Sequence, residues 1–385
     1  MSRLSLLSYP CLQSILKHFE VNHRILLAQK LPSIAILEKP IPLKIQGSIT
    51  LNSHSTTIDW LSYYLQVIRY DPENEKYKSF ESWLNNGITC DLDSDGNPIP
   101  GPPLAPGDFD FGGEENMANM FVEFLSLDSN VMENGKMIRK KKEYQYFLKF
   151  SVKESGEKGT NEYIKYDQNF HIAVKYLNSK LLAGRPPISV GTLKIDPEKY
   201  LRLPTDLKFD KCDLEVRDIY TGLETIRSLL TPSSFPINYV STDRITVADN
   251  EFLKGVEKLH IENYNQKVFP PLPYKQVRFA KKIDEEELAK IWMDWKSGER
   301  EIGTLCAIEL GTSRDWKRFM DFWMELDGAE LGEVDEIRKT NLPHCVIFNI
   351  NDTSEINIYC TRYIDADDFF TMQMKIEPKG FATRI

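Results

Sequence analysis

The chain has 385 residues, 41% of them hydrophobic, and a formal net charge of −9. That length suits two or three domains with sizeable cores, and the negative balance argues against a broad nucleic-acid or anionic-membrane surface. No apolar run reaches the roughly 20 residues of a membrane span, and the six scattered cysteines form no CxxC pair, which reads as reduced thiols in an intracellular, cytoplasmic protein.

The first forty residues predict a helical hook. Pro10 opens a helix whose apolar residues Leu12, Ile15, Leu16 and Phe19 keep the i, i+3, i+4, i+7 spacing of one face. The same stretch, with Pro10, Gln13, Lys17 and His18, interrupts any signal-peptide core. Asn22 is the expected cap of a second helix carrying Ile25, Leu26, Leu27 and Leu31, ended by Pro32. Ser33 is the expected cap of a third helical turn through Ile34 and Leu37. Three helices this short cannot bury a core alone, so they need the rest of the chain or another protein.

Leu43 to Leu51 then predicts a strand interrupted at Gly47, and the Val/Ile-rich second half of the aromatic run from Ile58 to Tyr70 a strand paired with it. Phe80 to Leu84 fits a helical turn or a short strand equally well. Residues 91–115 hold five prolines and five glycines, which predicts a long irregular loop. Val122 to Leu127 and Tyr144 to Val152 resume strand-like patterning, and the basic run Arg139 to Lys142 before the latter reads as a solvated turn, with a localisation signal as the sharper alternative.

Phe170, Ala173, Val174, Leu177 and Leu181 predict a helix, closed by Gly184 and the Pro186-Pro187 pair. Beyond it, apolar pairs at i and i+2 recur as Leu193/Ile195, Leu214/Val216, Ile237/Tyr239, Leu259/Ile261, Val277/Phe279 and Cys306/Ile308, at spacings of 21, 23, 22, 18 and 29 residues. Leucine-rich repeats have periods of about 20–29 residues, each donating one strand to a parallel sheet; a non-repetitive α/β domain is the alternative. Helical segments fall between, with Leu223, Ile226, Leu229 and Leu230 on one side, and later Leu288, Ile291, Trp292 and Trp295. Trp316, Phe319, Met320, Trp323 and Leu326 mark an amphipathic helix from Arg314, and Val346–Ile350 with Ile356–Cys360 a hairpin around the turn "NDTSE". Phe369 to Ile376 is a candidate third strand of this cap.

Chemistry-bearing motifs are few. Asp91, Asp93, Asp95 and Gly96 open like a calcium loop, but the twelfth position is Pro102 where a bidentate Glu is needed. The six histidines share no metal-ligand or triad spacing, and His344-Cys345, adjacent on a strand, point to opposite faces. No phosphate-binding glycine pattern or nucleophile elbow occurs. The expectation is a non-enzyme with no cofactor and no metal.

The segment "LSYPCLQSILKHFEVNHRILLAQKLPSI" resembles a divergent F-box, with Tyr9-Pro10 in place of the usual Leu-Pro and without the closing Trp. With "IAILEKPIPLKI", "LAPGDFDF", "YLNSKLLAGRPPISVGTLKI" and "WKSGEREIGT" it is similar to a nematode-expanded family of F-box-related proteins of unknown function. The resemblance implies a substrate-recognition subunit of a cullin-type ubiquitin ligase. The partners would be a Skp-type adaptor, bound through Tyr9, Pro10, Leu12, Ile15, Leu16, Phe19 and Leu27, and a protein target. An alternative is a structural protein whose F-box-like helices only cap its own fold, and a third class is a small-molecule binder or enzyme without a recognisable motif. The expected architecture is multidomain α/β: an F-box-like segment over residues 1–42, a β-rich domain over 43–160 with its irregular loop at 91–115, and a leucine-rich-repeat-like α/β array over 161–385 with a C-terminal hairpin cap.

Overall fold

The computed structural model describes residues 9–70, 87–94, 98–99, 101, 103–111, 130–133, 136–139, 145–154, 159–218, 225–244, 253, 255–262, 274–280, 283–297, 300–310, 312–334, 344–362 and 370–385. The expectations for Phe80–Leu84, Val122–Leu127, Asp95-Gly96 and residues 140–142 lie outside them. The fold is mixed α/β. Its compact units are residues 1–212 with 224–234, and residues 213–223 with 235–385, whereas the sequence suggests boundaries after 42 and 160.

The first unit begins with the hook: α1 (Tyr9–Lys17), α2 (Val21–Lys30) and α3 (Pro32–Glu38). Two expected caps differ. Glu20 caps α2 by accepting from the His23 amide at 3.0 Å. Asn22 is instead buried inside the first turn, its Nδ2 donating to the Ile58 carbonyl at 2.9 Å. Leu31 precedes α3, and Pro32 rather than Ser33 starts it, because a proline at the first helical turn forgoes an amide that has no intrahelical partner anyway.

A meander follows. β1 (Lys44–Leu51), β2 (Ser55–Ile58) and β3 (Leu61–Tyr70) pair antiparallel in order. Leu43, Ile45, Ile49 and Leu51 are buried as their shared parity predicts. The register of β1 shifts between Ile45 and Ser48. There the Asp59 carboxylate accepts from the Ser48 amide at 2.9 Å, and a Cβ on Gly47 would lie 2.2 Å from that carboxylate.

The described part of residues 91–115 is more ordered than expected. β4 (Asp91–Leu92) pairs with β5 (Pro98–Ile99), and β6 (Asp108–Asp110) has a partner far along the chain. Proline excludes a central strand, but it is tolerated as the first residue of a short strand, as Pro98 is in β5, and leaves room for β6 beyond Pro106. Further on, β7 (Asn130–Glu133) and β8 (Lys136–Arg139) form a hairpin. β9 (Gln145–Glu154) pairs with β3 and with β10 (Thr160–Lys165).

α4 (Phe170–Leu182) buries Phe170, Ala173, Val174, Leu177 and Leu181, and Gly184 beyond it takes φ +70°. That left-handed conformation suits glycine. β11 (Ile188–Ile195) contains Leu193 and lies parallel to β1 and to β13 (Phe209–Asp210). β12 (Tyr200–Arg202) is the partner of β6.

The second unit is built on β14 (Asp213–Asp218), β15 (Tyr239–Arg244), β16 (Lys258–Ile261), β17 (Gln276–Phe279) and β18 (Leu305–Leu310). They pair parallel in chain order, with Leu214, Val240, Leu259, Val277 and Cys306 in one row. The sequence pair Ile237/Tyr239 misses this row, since Val240, three residues after Ile237, fills it. Ile237 is buried just ahead of the strand.

α5 (Glu285–Ser297) follows β17, with Asp284 and Glu287 in a reciprocal capping box at 2.8 and 3.2 Å. α6 (Ser313–Met324) follows β18, capped by Thr312. Trp292, Trp295, Trp316, Phe319 and Trp323 are all buried. The Trp292 ring lies 4.0 Å from that of Phe348, and Trp323 Nε1 donates to Met372 Sδ.

β19 (Ala329–Glu333), β20 (His344–Asn349), β21 (Ser354–Arg362), β22 (Phe370–Pro378) and β23 (Thr383–Arg384) complete the unit. The hairpin and third strand expected from the sequence are β20, β21 and β22. β22 pairs antiparallel with β18, so the meander extends the parallel sheet edgewise.

Candidate functional site

The hook divides its apolar residues between two faces. Leu16, Leu37 and Ile41 form a small buried centre with Leu12, Leu27 and Ile34 packed on it. Pro10, Ile15 and Phe19 point away, and Ile15 and Phe19 are 39% and 43% exposed. Of the seven expected partner-binding residues, Leu12, Leu16 and Leu27 thus belong to the hook's interior. Pro10, Ile15 and Phe19 are exposed, and Tyr9 starts α1. Ile15 and Phe19 are four residues apart, Phe19 sitting on the turn where its amide bonds to the Leu16 carbonyl.

A buried charge cluster holds the hook against α4. Glu38, at the end of α3, has no exposed surface. It accepts from Arg24 Nη2 at 3.0 Å and from both terminal nitrogens of Arg185 at 2.8 and 2.7 Å. Arg24 also donates to the Ile41 and Pro42 carbonyls, and Arg185 Nε to the Leu181 carbonyl. Burial lowers the Arg24 pKa, against the pull of Glu38 and with the push of Arg185. Sequence periodicity carries no sign of this cluster, because charged residues in a helix face read as solvated.

Similar pins occur around α4. Asp108 is held by Lys175 at 2.8 Å and by Arg202, which brings β6 onto β12. Asp91 accepts from the His171 amide at 3.2 Å and meets His171 Nδ1 at 2.7 Å. The lead residue of the calcium-loop lookalike is therefore an anchor for the start of α4. Asn178 receives the Thr56 hydroxyl at 2.6 Å and donates to the Arg202 carbonyl. Glu38, Asp108, Asn178 and Arg185 all lie in the segments that carry the family resemblance, where they act as structural ties.

The parallel strands of the second unit present a polar face. Glu215, Ser241, His260 and Arg278 occupy one row, opposite in parity to the buried row; Ser241 within it is buried, and the row ends on the buried Ala307 of β18. Arg278 bonds to Glu309 at 2.7 Å, and the Tyr239 hydroxyl lies 3.2 Å from His260 Nδ1. Burial, and then the Arg278 charge, lower the His260 pKa. Burial first, then Asp243, raises that of Glu262. On β20, His344 is exposed and Cys345 buried, as strand alternation requires. Burial pushes the Cys345 thiol up to about 12, far from a nucleophile's range. Among the described residues, no group of three or more His, Cys, Asp or Glu is placed to hold a metal ion. No described helix is long and apolar enough to cross a membrane.

Residues 169–311 match the family model described as a domain of unknown function, DUF3557. The match runs from the start of α4 to the end of β18, leaving the hook and the terminal meander outside it. No curated protein and no solved structure matches the chain.

Proposed function

We propose that the chain is a non-enzymatic, F-box-related interaction protein. In this reading α1 docks on a Skp-type adaptor of a cullin ubiquitin ligase, and the leucine-rich-repeat-like strands β14–β18 hold a protein target on their polar face. The observation that carries it is the split of the hook's apolar residues. Leu12, Leu16 and Leu27 pack with Leu37 and Ile41 inside the hook, while Ile15 on α1 and Phe19 on the turn after it stay exposed, as docking into a partner's groove needs. The target-binding half rests on the in-order parallel row. Parallel sheets usually bury both faces, so a polar face on one is a surface for recognition.

Co-purification with a Skp-type adaptor tests the docking half. The unmodified chain should retain the adaptor and Ile15→Asp/Phe19→Asp should lose it with an unchanged thermal melt, since both side chains are exposed. Failure of the unmodified chain to retain any adaptor overturns the reading. That result would favour the second one, a hook that only caps its own fold, for which the Glu38–Arg185 tie is the supporting observation.

A further inference from the structure

Behind the hook, on α2 and α3 rather than α1, the first unit has a groove of about 640 Å³, within the usual size of a small-ligand site. Its walls include Ala28 and Ile36 from the hook, Phe150 and Ile164 from β9 and β10, and Tyr176 from α4. Ile36, Ile164 and Tyr176 are 72%, 52% and 59% exposed. Three large side chains left in water around one concavity are an informative kind of exposed apolar surface, unlike single scattered ones.

The ionisable groups in the wall are Glu38, Lys39, Lys180 and Arg185. Glu38 is fully engaged by Arg24 and Arg185. Lys39 and Lys180 have no carboxylate partner among the described residues. The Lys180 ammonium sits 5.0 Å over the Tyr176 ring, and Lys39 Nζ reaches the space beside Gly184, just past the end of α4. Both ammonium groups therefore lie along the second half of α4 and the turn after it. The wall carries three cations against one carboxylate, in a chain whose net charge is −9.

We propose that this groove binds a small amphipathic anion, an apolar chain or ring system bearing one carboxylate. The apolar body would lie against Ile36, Phe150 and Ile164, and the carboxylate beside the α4 side of the groove, within reach of Lys39 or Lys180. This assignment is independent of adaptor docking, because none of these residues is on α1.

Calorimetric titration of the full chain with decanoate, decanol and decylamine, each below its aggregation threshold, tests the proposal. Decanoate should bind saturably at one site, about tenfold or more tighter than decylamine. Lys39→Glu/Lys180→Glu should remove that preference, and Ile36→Asp should weaken decanoate and decanol together. Both variants change exposed or rim positions, and a thermal melt equal to that of the unmodified chain confirms that they fold. No saturable decanoate binding, equal affinity for decanoate and decylamine, or affinity unchanged in both variants would each overturn the proposal. Preference for an acidic amphipathic peptide with no decanoate binding would assign the groove to a protein partner instead.

Discussion

Glu38 is the residue on which the hook turns. A carboxylate without exposed surface is held by two guanidinium groups, and each partner also satisfies backbone carbonyls. Breaking a buried ion pair from one side leaves an uncompensated charge, which costs about 3–5 kcal/mol. Glu38→Ala should lower the unfolding free energy by that order, read by denaturant titration. A loss below 1 kcal/mol would mean that water reaches the site. Cysteines make a second residue-scale expectation. Burial pushes the thiols of Cys306, Cys345 and Cys360 up to about 12, whereas Cys11 is exposed. A disulfide reagent at neutral pH should modify Cys11 first and these three only on unfolding, as peptide mapping would reveal.

At the scale of elements, the C-terminal strands depend on one carboxylate. Glu355 on β21 accepts from the Gly380 and Ala382 amides at 3.0 and 3.1 Å, from Asn357 at 3.2 Å, and from Arg384 of β23 at 3.2 Å. Burial alone would raise its pKa, but these donors outweigh burial and hold it below the ordinary 4.5. A depressed folded pKa means stability that is present above the unfolded value and is lost as pH falls through the folded one. The β21–β23 tie should therefore loosen on acidification below about pH 4.5, with hydrogen exchange rising at the Gly380 and Ala382 amides. Glu355→Gln should exchange faster at neutral pH and lose most of that dependence. α6 buries Trp316, Phe319 and Trp323 on one face. Phe319 on its inner face is fully buried, and Phe319→Ala should cost about 3–5 kcal/mol by leaving a cavity among the tryptophans.

Over the whole molecule, the hook is the feature whose standing matters most. The segment reads as a separate first domain over residues 1–42, yet it lies inside the first compact unit with β1–β13 and α4. A chain starting at Leu43 would leave Arg185 without its carboxylate and uncover Leu65 and Leu177 in the groove wall. Such a chain should melt several degrees lower and self-associate on size exclusion. An unchanged melt would instead make the hook an autonomous domain.

Sequence alone determined the elements whose signal is local. Period 3.6 apolar spacing marked α4, α5 and α6, with Gly184 at the expected stop, and the "NDTSE" turn between alternating runs marked β20 and β21. It also marked the pairs Leu214/Val216, Leu259/Ile261, Val277/Phe279 and Cys306/Ile308 that became members of the parallel row, because burial on one face imposes period 2 on any strand. Tertiary structure decided which neighbour covers each face. Periodicity placed Leu12, Ile15, Leu16 and Phe19 on one stripe, but only packing against Leu37 and Ile41 separated the inner pair from the outer. Ile237 rather than Val240 looked like the row member because register is set by the adjacent strand and not by the strand itself. The Glu38 cluster, the Asp108 pins and the β6–β12 pair join residues 14 to 147 positions apart. Such contacts leave no pattern in the intervening chain, since a charge that is bound in a core and a charge that is solvated on a helix are the same letter in sequence.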